Sequence, residues 1–361
     1  MTTKNKHVAI IGTVGLPANY GGFETLAEYL TKELANKFEL SVFCSAKRLK
    51  DKPTTYNNAK LHYINLEANG VQSIPYDIIS IAKALTFADT LVVLGVSGCI
   101  VLPFVKLISK KKIIVNIDGL EWKREKWNKY AKAFLKFSEK IAVKYADVIV
   151  TDNKVIQDYV LSEYAKPSEL IAYGGDHVTK ESITPDTFSK YPFLSTPYAF
   201  KVCRIEPENN VHMILEAFAA QTTLPLVVIG NWDRSEYGKK LKQLYNSSVS
   251  LHLLDPIYDQ HLLNQLRSNC HLYVHGHSAG GTNPSLVEAM SLELPIFAFD
   301  VGYNRESTEN SANYFKSPKE LLDLINNADE NKILKIQEMM GGIAAKRYRW
   351  EVIAKQYSKL F

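Results

Sequence analysis

Three short stretches of this 361-residue chain carry side chains that could grip a phosphorylated ligand. The first, KVCRIEPENN over 201–210, is an apolar strand pattern running into a polar segment. Arg204 falls just past the strand end. A planar guanidinium there can hold a diphosphate through paired, charge-assisted hydrogen bonds; an ion pair between domains would use the same residue. The second, HGHSAGGTNPSLVEAM over 275–290, reads as a strand end, a glycine loop and a helix start. Thr282 or Asn283 suits the N-cap and Pro284 the first turn. With Gly280 and Gly281 before it, that helix start offers unpaired N–H groups and a positive dipole end to an anion. Glu288 lies about one turn inside, where a carboxylate reaches ribose hydroxyls. The third, LLDPIYD over 253–259, follows another strand. Tyr258 could stack there on a base, or belong to a plain loop.

A fourth stretch lies near the N-terminus. The strand pattern HVAIIG leads into TVGLPANYGGFETLAEYL, in which Gly12, Gly15, Gly21 and Gly22 let the backbone approach a ligand. A dinucleotide fingerprint also wants an acidic residue at the end of the second strand, for the ribose. That strand, ELSVFCSAK, ends in Cys44 and Ser45, so a nicotinamide reading is disfavoured. His275 and His277 stand at i, i+2 on a strand end, a spacing that shares one face of extended backbone. No third ligand with suitable spacing accompanies them, so the expectation is no metal. Cys44, Cys99, Cys203 and Cys270 lie far apart without a CxxC pair and read as free thiols of a reducing cytosol.

The elements that must position these residues follow from the patterning. Strands are expected at 7–12, 38–44, 61–64, 90–94, 112–117 and 147–151, and again at 199–202, 226–230, 250–254, 271–275 and 295–300. Helical patterns lie between them, beginning with 23–36. This alternation implies parallel sheets with crossover helices. Residues 179–197, rich in Ser, Thr and Pro, read as an irregular linker. The expected fold class is therefore α/β, two Rossmann-like domains whose parallel sheets face a central crevice. One domain spans 1–176 and the other 177–347, and a last helix at 348–361 packs back on the first, leaving a hinge. Ligands in such folds sit outside the carboxyl ends of the strands.

Charge is uneven. Residues 1–176 hold 24 Lys and Arg against 18 Asp and Glu, while 177–361 hold 19 against 20. The excess concentrates in 104–144, with 12 basic and 4 acidic side chains. Within 123–145, Trp127, Tyr130, Ala131, Phe134, Ser138, Ile141, Ala142 and Tyr145 recur at helical spacing and are expected to face the core. Lys129, Lys132, Lys136, Lys140 and Lys144 occupy another face. That stripe suits an anionic membrane surface or simply a solvated face. It lacks interleaved aromatics and a nucleic-acid motif, so nucleic acid is not an expected partner. The most apolar stretch, 91–105, is broken by Gly95, Gly98 and Pro103 and is too short to span a bilayer. The N-terminus reads as a first strand rather than a signal peptide.

Taken together, GTVGLPANYGGFETLAEYL, NIDGLEWKREKW, VCRIEPENN and HGHSAGGTNPSLVEAM resemble the family 4 GT-B glycosyltransferases over essentially the whole chain. Within that family they resemble bacterial rhamnosyltransferases of cell-surface polysaccharide synthesis. The resemblance implies transfer with retention, no required metal and no cofactor. It implies a nucleotide-sugar donor on the second domain, with dTDP-L-rhamnose expected, and a lipid-pyrophosphate-linked saccharide acceptor on the first. The enzyme would sit in the cytoplasm, peripheral at the inner face of the cell membrane.

The same resemblance assigns the site. Arg204 and the amides of Gly280, Gly281, Thr282 and Asn283 would stabilise the leaving diphosphate, with Gly21 and Gly22 closing from the other domain. Glu288 would fix the ribose, and Asp118 would orient or deprotonate the acceptor hydroxyl. Phe23, Glu24, Glu121, Trp122 and Arg124 would line the acceptor, Trp122 by stacking and Arg124 on a phosphate. Three positions depart from the family pattern. Asn209 stands where a lysine usually meets the diphosphate, Gly280 where a first glutamate stands, and Asp118 where many relatives have histidine. A UDP-hexose or UDP-N-acetylhexosamine donor, a nucleotide-sugar epimerase and a silent binding subunit are the alternatives.

Overall fold

The structure, a computed structural model, describes residues 6–18, 21–49, 51–117, 119–124, 127–220 and 224–361. The chain divides into two compact units. One runs to Tyr173 and takes back Trp350–Phe361; the other is Gly174–Arg349. Both are α/β units with Rossmann-like, mainly parallel sheets.

The first unit holds β1 (His7–Ile11), β2 (Glu39–Ser45), β3 (Thr55–Tyr56), β4 (Ala59–Ile64), β5 (Thr90–Leu94), β6 (Lys112–Ile117), β7 (Val148–Thr151) and β8 (Glu169–Leu170). Their order in the sheet is β3-β4-β2-β1-β5-β6-β7-β8, and only the β3–β4 pair is antiparallel. The central strands read as unbroken apolar runs because helices cover both sheet faces. Chain order reverses between β1 and β5, so this is the unit's topological switch point. The returning C-terminal helix Trp350–Ser358 buries Trp350, Ile353, Ala354 and Tyr357 in this unit's core. Trp350 stacks on Tyr29 with ring centroids 4.6 Å apart, and the Tyr357 hydroxyl accepts from Asn116 Nδ2 at 2.7 Å.

The second unit holds β9 (Ala199–Val202), β10 (Leu226–Ile229), β11 (Leu251–Leu254), β12 (Leu272–His275), β13 (Ile296–Phe299) and β14 (Asn313–Phe315), ordered β11-β10-β9-β12-β13-β14 and all parallel. Its switch point lies between β9 and β12. These are the two strands whose ends lead into Arg204 and into the glycine loop of 276–283.

Two expectations about the elements need correction. The stretch 179–197 contains a helix, Pro185–Lys190, and a 3-10 turn, Pro192–Ser195. Thr184 caps the helix by accepting from the Thr187 amide at 3.3 Å, and Pro185 fills its first turn. This cap-plus-proline signal is masked by the Ser/Thr/Pro composition. The helix Lys129–Tyr145 is also turned from its expected setting. Leu135, Ser138, Glu139, Ala142 and Val143 are buried, whereas Tyr130 is exposed. The shift is roughly 80° at 100° per residue. Its cause is Glu139, a carboxylate drawn inward by hydrogen-bond donors. Among the described residues no helix is long and apolar enough to cross a membrane.

Candidate functional site

At the second unit's switch point, the loops after β9 and β12 are sewn together. Asn209 is buried, and its side-chain amide is engaged at both ends. Nδ2 donates to the Arg204 carbonyl at 2.9 Å, and Oδ1 accepts from His277 Nδ1 at 2.9 Å. Asn210, in the left-handed region at φ 48°, donates from Nδ2 to the Gly276 carbonyl at 2.9 Å. The Ser278 amide and hydroxyl both donate to the Glu208 carbonyl, at 2.8 and 3.0 Å. Gly276 permits this approach, since a Cβ there would meet the Asn209 carbonyl oxygen at 2.3 Å. Asn209 is thus a clamp between loops rather than a side chain offered to a ligand. An amide suits that place because it both donates and accepts; the family's lysine could only donate. Arg204, fixed through its own carbonyl, is partly exposed, with Nε 3.9 Å from Glu206 Oε2.

Beyond the clamp, Gly280 adopts φ 113°, and a Cβ on it would stand 3.2 Å from His277 Nε2. Gly281 and Thr282 are buried. Asn283 is the N-cap of the helix Pro284–Ser291: Oδ1 accepts from the Ser285 amide at 3.1 Å and the Ser285 hydroxyl at 2.8 Å. His275 and His277 lie on one side, with ring centroids 6.2 Å apart and the rings tilted. Burial lowers the basicity of His275 well below the usual range, while His277 serves the clamp. Among the described residues no group of three His, Cys, Asp or Glu side chains could hold a metal.

Glu288, one turn into the helix, is held from two sides. Arg267, which is fully buried, forms an ion pair with its Oε2, and His177 Nε2 lies 3.3 Å from Oε1. Burial alone would push the Glu288 carboxyl up, but the Arg267 charge and the His177 contact outweigh it and hold it at about 2. Glu288 is therefore an ionised, oriented acceptor whose carboxylate keeps lone pairs for further donors. Arg267 is braced in turn by Asn264 Oδ1 at 3.1 Å. Sequence reasoning missed both partners. Leu263, Leu266 and Arg267 share a helix face at i, i+3, i+4, and an arginine on an apolar face needs an acid. Gly174-Gly175 was the sign for His177, because a Cβ on Gly175 would sit 2.4 Å from the Val287 carbonyl oxygen. Tyr258 stands apart from this constellation. It is exposed, in the loop after edge strand β11, with β10 between that strand and β9.

In the first unit the glycine loop likewise follows the switch point. A Cβ on Gly12, at φ 98°, would meet the Leu94 carbonyl oxygen at 2.1 Å, so the ends of β1 and β5 lie against each other. Gly21, at φ 134°, precedes the helix Gly22–Leu34. Phe23, half-buried, lies beside Gly95 in the loop after β5. Glu24 is buried and accepts from the Val14 amide at 2.6 Å. It closes the glycine loop and is not presented to an acceptor. Across the switch point, Asp77 is buried against Gly98, where a Cβ would approach its own to 2.3 Å, and burial drives its carboxyl well above the ordinary range.

The segment expected to line the acceptor is largely self-satisfied. Glu121 pairs with Arg124 Nε at 2.9 Å and accepts from Trp127 Nε1 at 3.0 Å. Trp122 donates Nε1 to the buried Glu139 at 3.0 Å, and that carboxylate also accepts the Tyr159 and Tyr164 hydroxyls at 2.6 Å each. The Lys136 ammonium lies 4.7 Å from the Trp122 and Tyr159 ring centroids and 5.0 Å from that of Tyr164, and Lys123 also stands over Trp122. Trp122 is a structural member of this cluster rather than an open stacking platform. Lys136 leaves the solvent-facing lysine stripe for it and pairs with Glu163 at 3.0 Å. Asp118 lies outside the described residues.

Against this geometry, residues 185–347 match the family "Glycosyl transferases group 1" and residues 5–176 match "Domain of unknown function (DUF1972)". Residues 185–347 form a glycosyl transferases group 1 domain. The Arg204 clamp, the capped helix and Glu288 all belong to that group 1 domain. The chain as a whole has the GT-B fold. It matches sucrose-phosphate synthase from Thermosynechococcus elongatus at a TM-score of 0.81 and 16% identity, over 99% of this chain and 98% of that one. HepE from Anabaena, solved in complex with UDP, matches at 0.74 and 16% identity over 98% of each chain. The catalytic domain of starch synthase IV from Arabidopsis thaliana, bound to ADP and acarbose, matches at 0.74 and 14% over 99% of each. None of the curated proteins matches the chain.

Proposed function

We propose that this protein is a retaining glycosyltransferase that moves L-rhamnose from dTDP-L-rhamnose to a lipid-pyrophosphate-linked saccharide in cell-surface polysaccharide synthesis. The observation that carries the reading is the group 1 domain's switch point, where Arg204 and the Gly280–Asn283 loop follow adjoining strands and the ionised Glu288 stands in the helix after that loop. The donor's diphosphate would lie against Arg204 and the helix N-terminus at Pro284. Glu288, held by Arg267 and His177, would accept from the ribose hydroxyls. Gly280 gives the donor sugar no carboxylate to bind, which is compatible with a deoxysugar having fewer hydroxyls to satisfy.

In the reaction, the bond between the anomeric carbon and the leaving phosphate oxygen breaks. The acceptor oxygen bonds to the same face of that carbon, and the acceptor proton passes to the departing diphosphate. Negative charge grows on the leaving group, and donors fixed in advance at that point lower the barrier without reorganising. Arg204 and the loop amides fill that role. Asp118 would orient the acceptor hydroxyl or, in place of the diphosphate, take its proton. The donor is a substrate, so the reading needs no cofactor. The enzyme would work from the cytoplasmic side of the membrane, with Lys129, Lys132, Lys140 and Lys144 toward it.

A second donor is favoured by one observation: the similar HepE structure holds UDP. Thermal stabilisation across dTDP, UDP, GDP, ADP and NAD separates the readings, because a ligand of the folded state raises apparent stability. Selective stabilisation by dTDP, lost in Arg204→Ala and Glu288→Ala, supports the rhamnosyl reading. Preference for UDP keeps the transferase and changes the donor. Stabilisation by NAD alone, or by none of them, overturns it.

A further inference from the structure

The helix Leu102–Ile108 buries only one side of itself. Leu102 and Val105 pack inward, while Phe104 is 68% exposed, Leu107 82% and Ile108 80%. Three large apolar side chains on a seven-residue helix therefore gain little burial within this chain. The adjacent helix Lys129–Tyr145 continues the pattern, with Tyr130 75% and Phe137 52% exposed. The two helices pack together, and Lys106 Nζ joins their C-terminal ends through Asp147 Oδ2 at 2.6 Å.

The rim of this apolar surface is basic. Lys110 is exposed just past the first helix, and Lys129, Lys140 and Lys144 are exposed on the second. At 100° per residue, Lys129, Lys140, Lys144, Phe137 and Tyr130 share one side of that helix. The acid at this edge, Asp147, is already paired with Lys106. A second copy of the chain fits this surface poorly. A two-fold contact would set the same patch against itself and bring lysine rim to lysine rim.

We infer that this face docks on an anionic lipid bilayer, with Phe104, Leu107 and Ile108 entering the boundary between headgroups and acyl chains. The exposed lysines meet the headgroup phosphates. Apolar insertion and electrostatic attraction reinforce each other in such interfacial binding. The inference rests on the reading that the acceptor is lipid-linked, and it deepens that reading by naming the side chains that hold the enzyme at its substrate.

The test is co-sedimentation of the full chain with vesicles of phosphatidylglycerol mixed with phosphatidylcholine, and with phosphatidylcholine alone. The wild type is expected to bind the anionic vesicles about tenfold more tightly, with the preference fading as salt rises. Leu107→Glu with Ile108→Glu is expected to lower that binding about tenfold at unchanged melting temperature, since both side chains are already in water. Lys140→Ala with Lys144→Ala is expected to erase most of the anionic preference. Equal binding to both vesicle types, no binding, or a Leu107/Ile108 double variant that binds like the wild type overturns the inference. So does a concentration-dependent dimer that this variant abolishes, without vesicle binding. Nucleotide stabilisation without vesicle binding overturns the docking face and leaves the transferase. Vesicle binding without any nucleotide response does the reverse.

Discussion

His277 Nδ1 donates to Asn209 Oδ1 at 2.9 Å, and the other end of the same amide donates to the carbonyl of Arg204. One buried side chain thereby fixes the ring beneath Gly280 and the backbone of the cation expected to meet the diphosphate. Asn209→Ala strands both partners in a buried place, a loss of about 1–3 kcal/mol. Urea denaturation is expected to show it, together with weaker nucleotide stabilisation. Asn209→Lys restores the residue type usual in the family, yet it is expected to be destabilised as well, because an ammonium cannot accept from His277. Tighter nucleotide binding by Asn209→Lys would contradict the clamp.

The Glu288–Arg267 pair gives a pH signature. The Glu288 carboxyl falls from its ordinary 4.5 to about 2 in the folded chain. The folded state then binds fewer protons than the unfolded state between these values. The pair's contribution is complete above about 4.5 and disappears as pH falls toward 2. Stability measured against pH is expected to drop more steeply over that window in the wild type than in Glu288→Gln. At neutral pH, Arg267→Met leaves an uncompensated carboxylate and is expected to cost about 3–5 kcal/mol. Adding Glu288→Met to Arg267→Met is expected to recover part of that loss. A double variant less stable than Arg267→Met alone would sink this account.

The fold was legible because parallel α/β strands announce themselves as short apolar runs between helical patterns. Every expected strand has an observed counterpart, while β3, β8 and β14, two or three residues long, carry too little pattern to see. The helix start was legible to within the pair Thr282 and Asn283, of which Asn283 is the cap, and the strand-end position of Arg204 was legible for the same local reason. What sequence could not give was side-chain pairing across distance. Asn209 with His277, Glu288 with Arg267, and Trp122 with Glu139 join residues 68, 21 and 17 positions apart. The first and last of those contacts turn expected ligand-facing groups into scaffold, and the second orients Glu288. The setting of the basic helix misled for a related reason: counting apolar spacing puts Tyr130 inside and ignores a buried glutamate.

Glu139 is the hub of the first unit's aromatic cluster. Its carboxylate accepts from Trp122, Tyr159 and Tyr164 while Lys136 lies over all three rings. Glu139→Ala removes the shared acceptor, and with it the register of the 121–127 segment. The expected result is a loss of about 2–4 kcal/mol in denaturation, summed over stranded donors. A second readout separates positioning from bulk stability. The acceptor KM is expected to rise several-fold while nucleotide stabilisation of the group 1 domain stays unchanged. Glu139→Gln, which still accepts hydrogen bonds, is expected to fall between wild type and alanine. Equal effects on donor and acceptor would remove Glu139 from this role.

Gly280 tests the loop itself. Its φ of 113° lies where side chains are disfavoured, and a Cβ would stand 3.2 Å from His277 Nε2. Gly280→Ala therefore meets both backbone strain, about 1–3 kcal/mol, and a ring that is held by Asn209. The loop has two ways to relax: it can move away from the helix start at Pro284, or the His277–Asn209 bond can break. Either displaces the amides proposed to face the diphosphate, so nucleotide stabilisation is expected to fall at least as far as in Asn209→Ala. The double variant Gly280→Ala with Asn209→Ala discriminates between the routes. If the strain is relieved through the clamp, the two losses in stability are less than additive, as for residues sharing a partner. Strict additivity, with nucleotide binding intact in Gly280→Ala, would mean that the loop and the clamp act independently and that the loop amides do not touch the donor.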